Sequence, residues 1–233
     1  MITLSFIVPA HNEERGLGAT LDAICQAASL TGEPYELIVV DDASTDQTSA
    51  VAASRGATIV RVAHRQIAAA RNAGARAATG DLLFFVDADT KVNEAVVRAA
   101  LREMDDGVVG GGAGVRFEGA PKWVDVFMLA FVPAFRLARL AAGCFVFCRR
   151  DAFEAVGGFD ETVFAGEEIV LSRALKRRGP FVVLRESVLT SPRKLENRSL
   201  WTLLRITAKL AVNGGIGGVK RREHAAFWYE EKR

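Results

Sequence analysis

"LLFFVDADT", residues 82–90, sets five consecutive apolar residues, Leu82 to Val86, against Asp87, Ala88, Asp89 and Thr90. A strand apolar at every position is covered on both faces, as the strands of parallel α/β sheets are. The abrupt change to carboxylates marks its carboxyl end, where ligands of such sheets bind. Alternate residues of an extended segment point the same way, so Asp87 and Asp89 can face one point in space, with small Ala88 between them. Carboxylates held together repel without a cation. Mg2+ and Mn2+ take oxygen ligands and keep positions for substrate phosphates.

Working outward, "LSFIV" (4–8), "ELIVV" (36–40) and "TIVRV" (58–62) repeat the apolar pattern. The segments between them are helical by spacing. Leu17, Leu21, Ile24, Cys25 and Ala28 share one face of the first. "STDQTSAVAAS" (44–54) opens a helix with Ser44 or Thr45 as N-cap, and "IAAARNAGARAA" (67–78) is a third helix. Asn93 caps a fourth, running to about Met104. This alternation predicts an α/β fold, a mostly parallel sheet flanked by helices. Beyond it, "VVGGGAGVRF" (108–117) reads as a glycine-rich strand with close backbone approach or a bulge. Further expectations are an apolar helix over about 122–139, a strand at "CFVFCRR" (144–150), and a short helix, glycine turn and acidic loop at 151–161. A helix at 167–179, stopped by Gly179 and Pro180, and a strand at "FVVLRE" (181–186) complete this part. A basic helical tail comes last.

At 233 residues with 50% hydrophobic content, the chain can bury a substantial core. The N-terminus lacks the basic start and long apolar run of a signal peptide. No stretch reaches the roughly 18 apolar residues of a membrane span. Cys25, Cys144 and Cys148 have neither disulfide-framework nor zinc spacing, so reduced thiols in the cytoplasm are expected. The net charge of +2 conceals a division. Residues 1–172 carry 15 Lys/Arg against 23 Asp/Glu, a balance of −8, whereas 173–233 carry 15 against 5, a balance of +10. An acidic body suits a cation. A basic tail suits phosphates or an anionic membrane.

The loops at the carboxyl ends of the strands are therefore informative. Pro9, Ala10, His11 and Glu13 lie at or just past the end of the first strand, Asp41, Asp42, Ser44 and Asp46 past the second, Asp87 and Asp89 past the fourth. Three polar, acid-rich loops converge on one edge of the sheet. "FIVPAHNEE", "LIVVDDASTDQT", "AARNAGARAATGDLLFFVDADT" and "GGFDETVFAGEEIVLSRALKRRG" occur in that order. Together they resemble a family 2 glycosyltransferase of the GT-A (Rossmann-like) fold, over roughly residues 3–185. The resemblance implies a 1–190 transferase domain, with 1–105 the nucleotide-sugar half and 106–190 the acceptor half, and a basic helical extension over 191–233.

Residue by residue, the resemblance implies that Pro9 and Ala10 shape the first nucleotide loop and that Glu13 lies near the ribose. Asp42 accepts from the base while Asp41 orients its loop, and charge-assisted hydrogen bonds of this kind are strong. Arg71 and Asn72 open an element below the nucleotide, Arg71 within reach of base or phosphates. Asp87 faces ribose or sugar, and Asp89 is the principal ligand of Mn2+ or Mg2+. Glu168 is the implied base, with Glu167 beside it, where the family more often has Glu-Asp. Asp160 faces the acceptor loop. The implied reaction is inverting transfer from a nucleotide-diphosphosugar, a UDP-sugar by default, to an acceptor hydroxyl. The alternatives are a non-catalytic nucleotide-sugar-binding module and a sugar-1-phosphate nucleotidylyltransferase. No nucleic acid is expected as partner. The basic tail, Arg193 to Lys209 with Trp201, sets peripheral contact at the inner membrane face against purely cytoplasmic solution.

Overall fold

The computed structural model describes residues 2–119 and 139–191. Strands and helices alternate through β1 (Leu4–Ala10), α1 (Leu17–Ser29), β2 (Tyr35–Asp42), α2 (Thr48–Ala53), β3 (Thr58–Val62), α3 (Ile67–Ala77) and β4 (Leu82–Val86). Then come β5 (Thr90–Lys91), α4 (Glu94–Asp105), β6 (Gly110–Phe117), β7 (Phe145–Arg149), α5 (Arg150–Ala155), α6 (Glu167–Leu175) and β8 (Phe181–Thr190). One eight-stranded sheet takes the order β3-β2-β1-β4-β7-β6-β8-β5. β1 to β4 pair in parallel, β7 runs antiparallel to β4 and β6, and β5 runs antiparallel to β8.

Both sheet faces are covered, as continuous apolar strands require. Leu4, Phe6 and Val8 pack on Leu17, Leu21 and Ile24 of α1 and on Val96 and Val97 of α4. Ile7, Ile38 and Val40 face the other way, onto Ala70 and Ala73 of α3, in a cluster that also holds Leu171 of α6. Phe84 and Phe85 divide between the faces. Phe84 stacks on Phe6 at 4.9 Å between centroids, while Phe85 meets Phe153 and Phe159 at 5.2 and 5.0 Å.

The order reverses direction between β1 and β4, the switch point at which a crevice opens. β1 pairs with β2 as far as Ala10 and Asp41, but its pairing with β4 stops at Ile7 and Phe85. Pro9 has no N–H to extend a ladder. Beyond this point the ends of β1 and β4 separate.

Several sequence expectations change. α2 starts at Thr48 with Gln47 at its N-cap position, so neither Ser44 nor Thr45 caps it. Both are drawn away to Asn12: Ser44 Oγ accepts from Asn12 N, and Thr45 N donates to Asn12 Oδ1. α6 ends at Leu175 and β8 runs to Thr190, where the sequence suggests 179 and 186. β5 was unforeseen. Its two residues pair with Thr190 and Leu189, contacts that no local pattern encodes. Asn93 does cap α4, accepting from Val96 N at 3.0 Å. The β6 glycines do carry a register shift, between Gly112 and Gly114. The expected helix over 122–139 lies outside the described residues except for Arg139, and the expected tail helix lies wholly outside them, with Arg193, Trp201 and Lys209. Among the described residues no helix is long and apolar enough to cross a membrane.

α3 lies directly on β1 and β2 because Gly74 has no Cβ. One built there would collide with Ile7 Cγ2 and lie 2.8 Å from Val40 Cγ2. Both neighbours are β-branched strand residues with stiff χ1 angles. Gly74→Ala gains about 1 kcal/mol of helix propensity but overpacks the seam at a cost of about 1–3 kcal/mol. We expect a net loss, read as a lower urea midpoint at unchanged m-value. A raised midpoint would mean that α3 can lift from the sheet freely.

Candidate active site

The loops after β1, β2 and β3 are stitched into one rim. His11 Nδ1 donates to the Asp42 carbonyl at 2.8 Å. Glu13 N donates to Thr48 Oγ1 at 2.8 Å, and Glu14 N to Asp46 at 3.1 Å. The Asp42 carboxylate accepts from Arg65 N at 2.8 Å and Gln66 N at 3.0 Å, tying β2 to the loop before α3. Asp41 accepts from Ser44 N and Ser49 Oγ, which holds its own loop. Burial opposes the ionised Asp41, yet these bonds and the Arg61 charge keep its carboxyl below the usual range. Asn12, Ala43 and Arg65, just beyond the three strands, adopt left-handed φ values of 52°, 59° and 51°. For residues other than glycine this costs roughly 1–3 kcal/mol each and persists only where surrounding contacts over-determine it. Such strain concentrates at functional sites.

The β4 end lies across the crevice. Asp87 N donates to the Cys144 carbonyl at 3.1 Å, and Thr90 N to the Asp87 carbonyl at 3.0 Å. Ala88 is buried, its carbonyl accepting from Thr20 Oγ1 at 2.8 Å. Ser191 N donates to the Asp89 carbonyl at 3.1 Å, and Thr190 Oγ1 approaches its carboxylate at 3.5 Å. The aspartates flanking Ala88 are half-buried. Among the described residues no group of three or more His, Cys, Asp or Glu gathers into a metal cage. The pair still fits Mn2+ or Mg2+, which are usually held by one or two carboxylates together with substrate phosphates. Burial, then Asp87 and Asp89, push the nearby Cys144 thiol up, so it stays protonated.

Arg71 joins this end to the N-terminus of α6. It is 1% exposed. Nη1 donates to Glu167 Oε1 at 2.7 Å, and Nη2 to Asp87 Oδ1 at 2.8 Å and the Gly143 carbonyl at 2.7 Å. The guanidinium also lies 5.2 Å from the Phe159 ring centroid. Burial disfavours its charge, but Asp87, Glu167 and Glu168 together raise its pKa. Asn72 exchanges hydrogen bonds with the Phe159 backbone at 2.9 Å in both directions and donates to Glu161 at 2.8 Å, fixing the loop before α6. Asp160 Oδ1 accepts from Thr162 N and Oγ1 within that loop.

Glu168 stands next to Glu167 in the first turn of α6. Burial, then the Glu167 charge, push its pKa up to about 8, with Arg71 pulling the other way. A Cβ on Gly143 would lie 3.3 Å from Glu168 Cδ, so the glycine leaves the carboxyl its room.

The structure therefore brings Pro9, Ala10, Asp41, Asp42, Asp87 and Asp89 to one end of the sheet and joins Asp87 to Glu167 through Arg71. Glu13 is placed by its backbone contact to α2. Arg71 and Asn72 make internal contacts, and the expected reach of Arg71 to base or phosphates is not what this geometry provides. Sequence reasoning missed Arg65 and Gln66, whose signal was a polar pair ahead of an alanine-rich helix. It also missed Gly143 and Cys144, which act through backbone carbonyls and leave no side-chain signature.

Glycosyl transferase family 2 is matched over residues 5–157. An uncharacterized glycosyltransferase of Mycobacterium tuberculosis is 34% identical over 104 residues, 45% of this chain and 44% of that protein. A 4,4'-diaponeurosporenoate glycosyltransferase of Staphylococcus aureus is 46% identical over 59 residues, 25% of this chain and 15% of that protein. The chain thus spans less than half the length of these relatives. Mannosyltransferase PcManGT from Pyrobaculum calidifontis, in complex with GDP-Man and Mn2+, superposes with a TM-score of 0.68 at 21% identity, covering 97% of this chain and 69% of that one. S. aureus TarS 1-349 in complex with UDP gives 0.64 at 18% identity, covering 82% and 60%. Identities this low establish fold alone, and that fold is GT-A. With the family matched over most of its length and the sheet arranged in this way, the chain belongs to glycosyl transferase family 2.

Proposed function

We propose that the chain is a metal-dependent inverting glycosyltransferase, moving a sugar from a nucleotide-diphosphosugar to an acceptor hydroxyl. The observation that carries this is the crevice itself: the acidic loops after β1 and β2 on one side and, on the other, the Asp87 end of β4 joined through Arg71 to the Glu167–Glu168 helix terminus. The nucleotide lies over the ends of β1, β2 and β4. Asp42 accepts from the base with the lone pairs left by its two backbone bonds. Glu13 approaches the ribose.

Asp89, with Asp87, is proposed to hold Mn2+ or Mg2+. Held there, it would supply Lewis-acid stabilisation of the negative charge that develops on the departing diphosphate. Glu168 takes the acceptor proton as the acceptor oxygen bonds to the anomeric carbon. The bond from that carbon to the diphosphate oxygen breaks, and its electron pair leaves with the nucleoside diphosphate. Attack from the face opposite the leaving group inverts the centre. UDP- and GDP-sugars are the first donors to try, since the structural neighbours are complexes with UDP and GDP-Man.

A thermal-shift screen of UDP-, GDP- and dTDP-sugars with Mn2+ identifies the donor, because a ligand bound to the folded state raises Tm. Asp89→Ala should keep the fold and lose metal-dependent sugar release from that donor. Full release by this variant refutes the assigned role. Donor binding by the wild-type chain without release to any acceptor or water would favour a non-catalytic binding module.

Glu168 gives a second test. Only its ionised form accepts a proton, so the transfer rate should rise with pH through about 8 and then level off. Glu168→Gln should remove that limb and lower kcat about 10²–10⁴-fold. Stability moves in the opposite sense. The folded chain keeps the Glu168 proton above the ordinary value of 4.5, where the unfolded chain releases it, so the fold loses stability from there to about 8. Glu168→Gln should therefore raise Tm at pH 8 and match wild type near about pH 4. Equal Tm values at both pH values would place Glu168 in a wetter setting.

A further inference from the structure

We propose that Arg71 is a positioning residue. It holds the N-terminus of α6, with Glu167 and Glu168, against the Asp87 end of β4, and so sets the separation of acceptor and donor sides. This rests on the transfer reading above for its consequence, though not for its geometry.

Arg71 reaches three segments that are not otherwise neighbours in the chain. Its contacts lie 16, 72 and 96 residues away, at Asp87, Gly143 and Glu167. At 1% exposure, with the Phe159 ring against its guanidinium, it has no surface left for a nucleotide. Among the described residues its Nε is buried without a hydrogen-bond partner. The guanidinium is thus placed for what its two terminal nitrogens reach rather than for its own full solvation. One of these nitrogens serves both Asp87 and the Gly143 carbonyl. The same glycine adjoins the Glu168 carboxyl, and the next residue, Cys144, accepts from Asp87 N. The bridge closes on itself, so α6 cannot move from β4 without breaking it. A planar fork spans such a gap, whereas an ammonium on a flexible stem does not reproduce its geometry.

Arg71→Lys keeps the charge and removes the fork. Calorimetry of UDP and GDP with Mn2+ should give affinities within about fivefold of wild type, while transfer kcat falls about 100-fold, the scale set by a 1 Å misplacement. Acceptor-free donor hydrolysis should fall less than transfer. Nucleotide affinity falling by the same factor as kcat, or an unchanged kcat, overturns the proposal. If the wild-type chain releases sugar from none of the three donor classes, the transfer reading fails, and amide hydrogen exchange of the ligand-free chain decides the bridge. Arg71→Lys should then raise exchange about tenfold over residues 167–172 and around Gly143, with β1 and β2 unchanged. Unchanged exchange there, or an equal rise throughout the sheet, overturns it. Should Arg71→Lys not fold, Glu167→Gln leaves the Asp87 arm intact and should loosen 167–172 alone. Unchanged exchange over that turn in Glu167→Gln also overturns it.

Discussion

A guanidinium taken out of water must find its counter-charges inside the protein, and Arg71 dictates much of what surrounds it. Desolvating one ion costs several kcal/mol in a real interior, recovered only by close partners with good geometry. Arg71 has two carboxylates within 2.8 Å and a carbonyl at 2.7 Å. Those partners come from the end of β4, the start of α6 and the connection into β7. Each segment reaches its place for reasons of its own, β4 as a central strand and α6 as a helix on the Ile7 face. The charge requirement fixes how their ends meet.

The opposite rim is held differently. Backbone amides and hydroxyls bind it together, in a chain of contacts from Asn12 and Glu13 to Ser44 and Thr48, and from Asp42 to Arg65 and Gln66. These contacts hold three non-glycine residues in left-handed conformations, which none would adopt alone. One side of the crevice is thus rigid through ion pairing and the other through backbone hydrogen bonding. The ion pairing also ties the β4 end to α6, across the two halves of the chain.

The fold was legible where a local pattern carries global information. "LLFFV" declared a strand covered on both faces, and Phe84 and Phe85 do divide between them. The carboxylates after β1, β2 and β4 were legible because parallel strands must end on one side. What remained hidden was long-range. Nothing in "TK" at 90–91 announces pairing with Thr190 and Leu189. Ser44 and Thr45 looked like helix caps because their competitor, Asn12, stands over thirty residues away in sequence and beside them in space. For Arg71 the family resemblance implied reach to base or phosphates, whereas its burial among Asp87, Gly143 and Glu167 is a property of the assembled fold that no local pattern announces.

The charge balance of the crevice comes from both points. Asp41, Asp42, Asp87, Asp89, Glu167 and Glu168 line or adjoin it, and Arg71 pairs directly with Asp87 and Glu167 among them. One outcome is internal: desolvation, then the neighbouring Glu167, drives half-buried Glu168 to keep its proton to about 8. The other concerns what can enter. A bare pyrophosphate would meet repulsion from Asp87 and Asp89, and Arg71 cannot relieve it, being enclosed and already paired. The compensating charge must arrive with the ligand. On the proposed reading, a divalent cation held by Asp89 and Asp87 would meet that demand, whereas a second buried arginine would have brought its own desolvation cost. Arg71 is committed to Asp87 and Glu167, so under the proposed function the acidic rim would take an anionic donor together with its metal rather than alone.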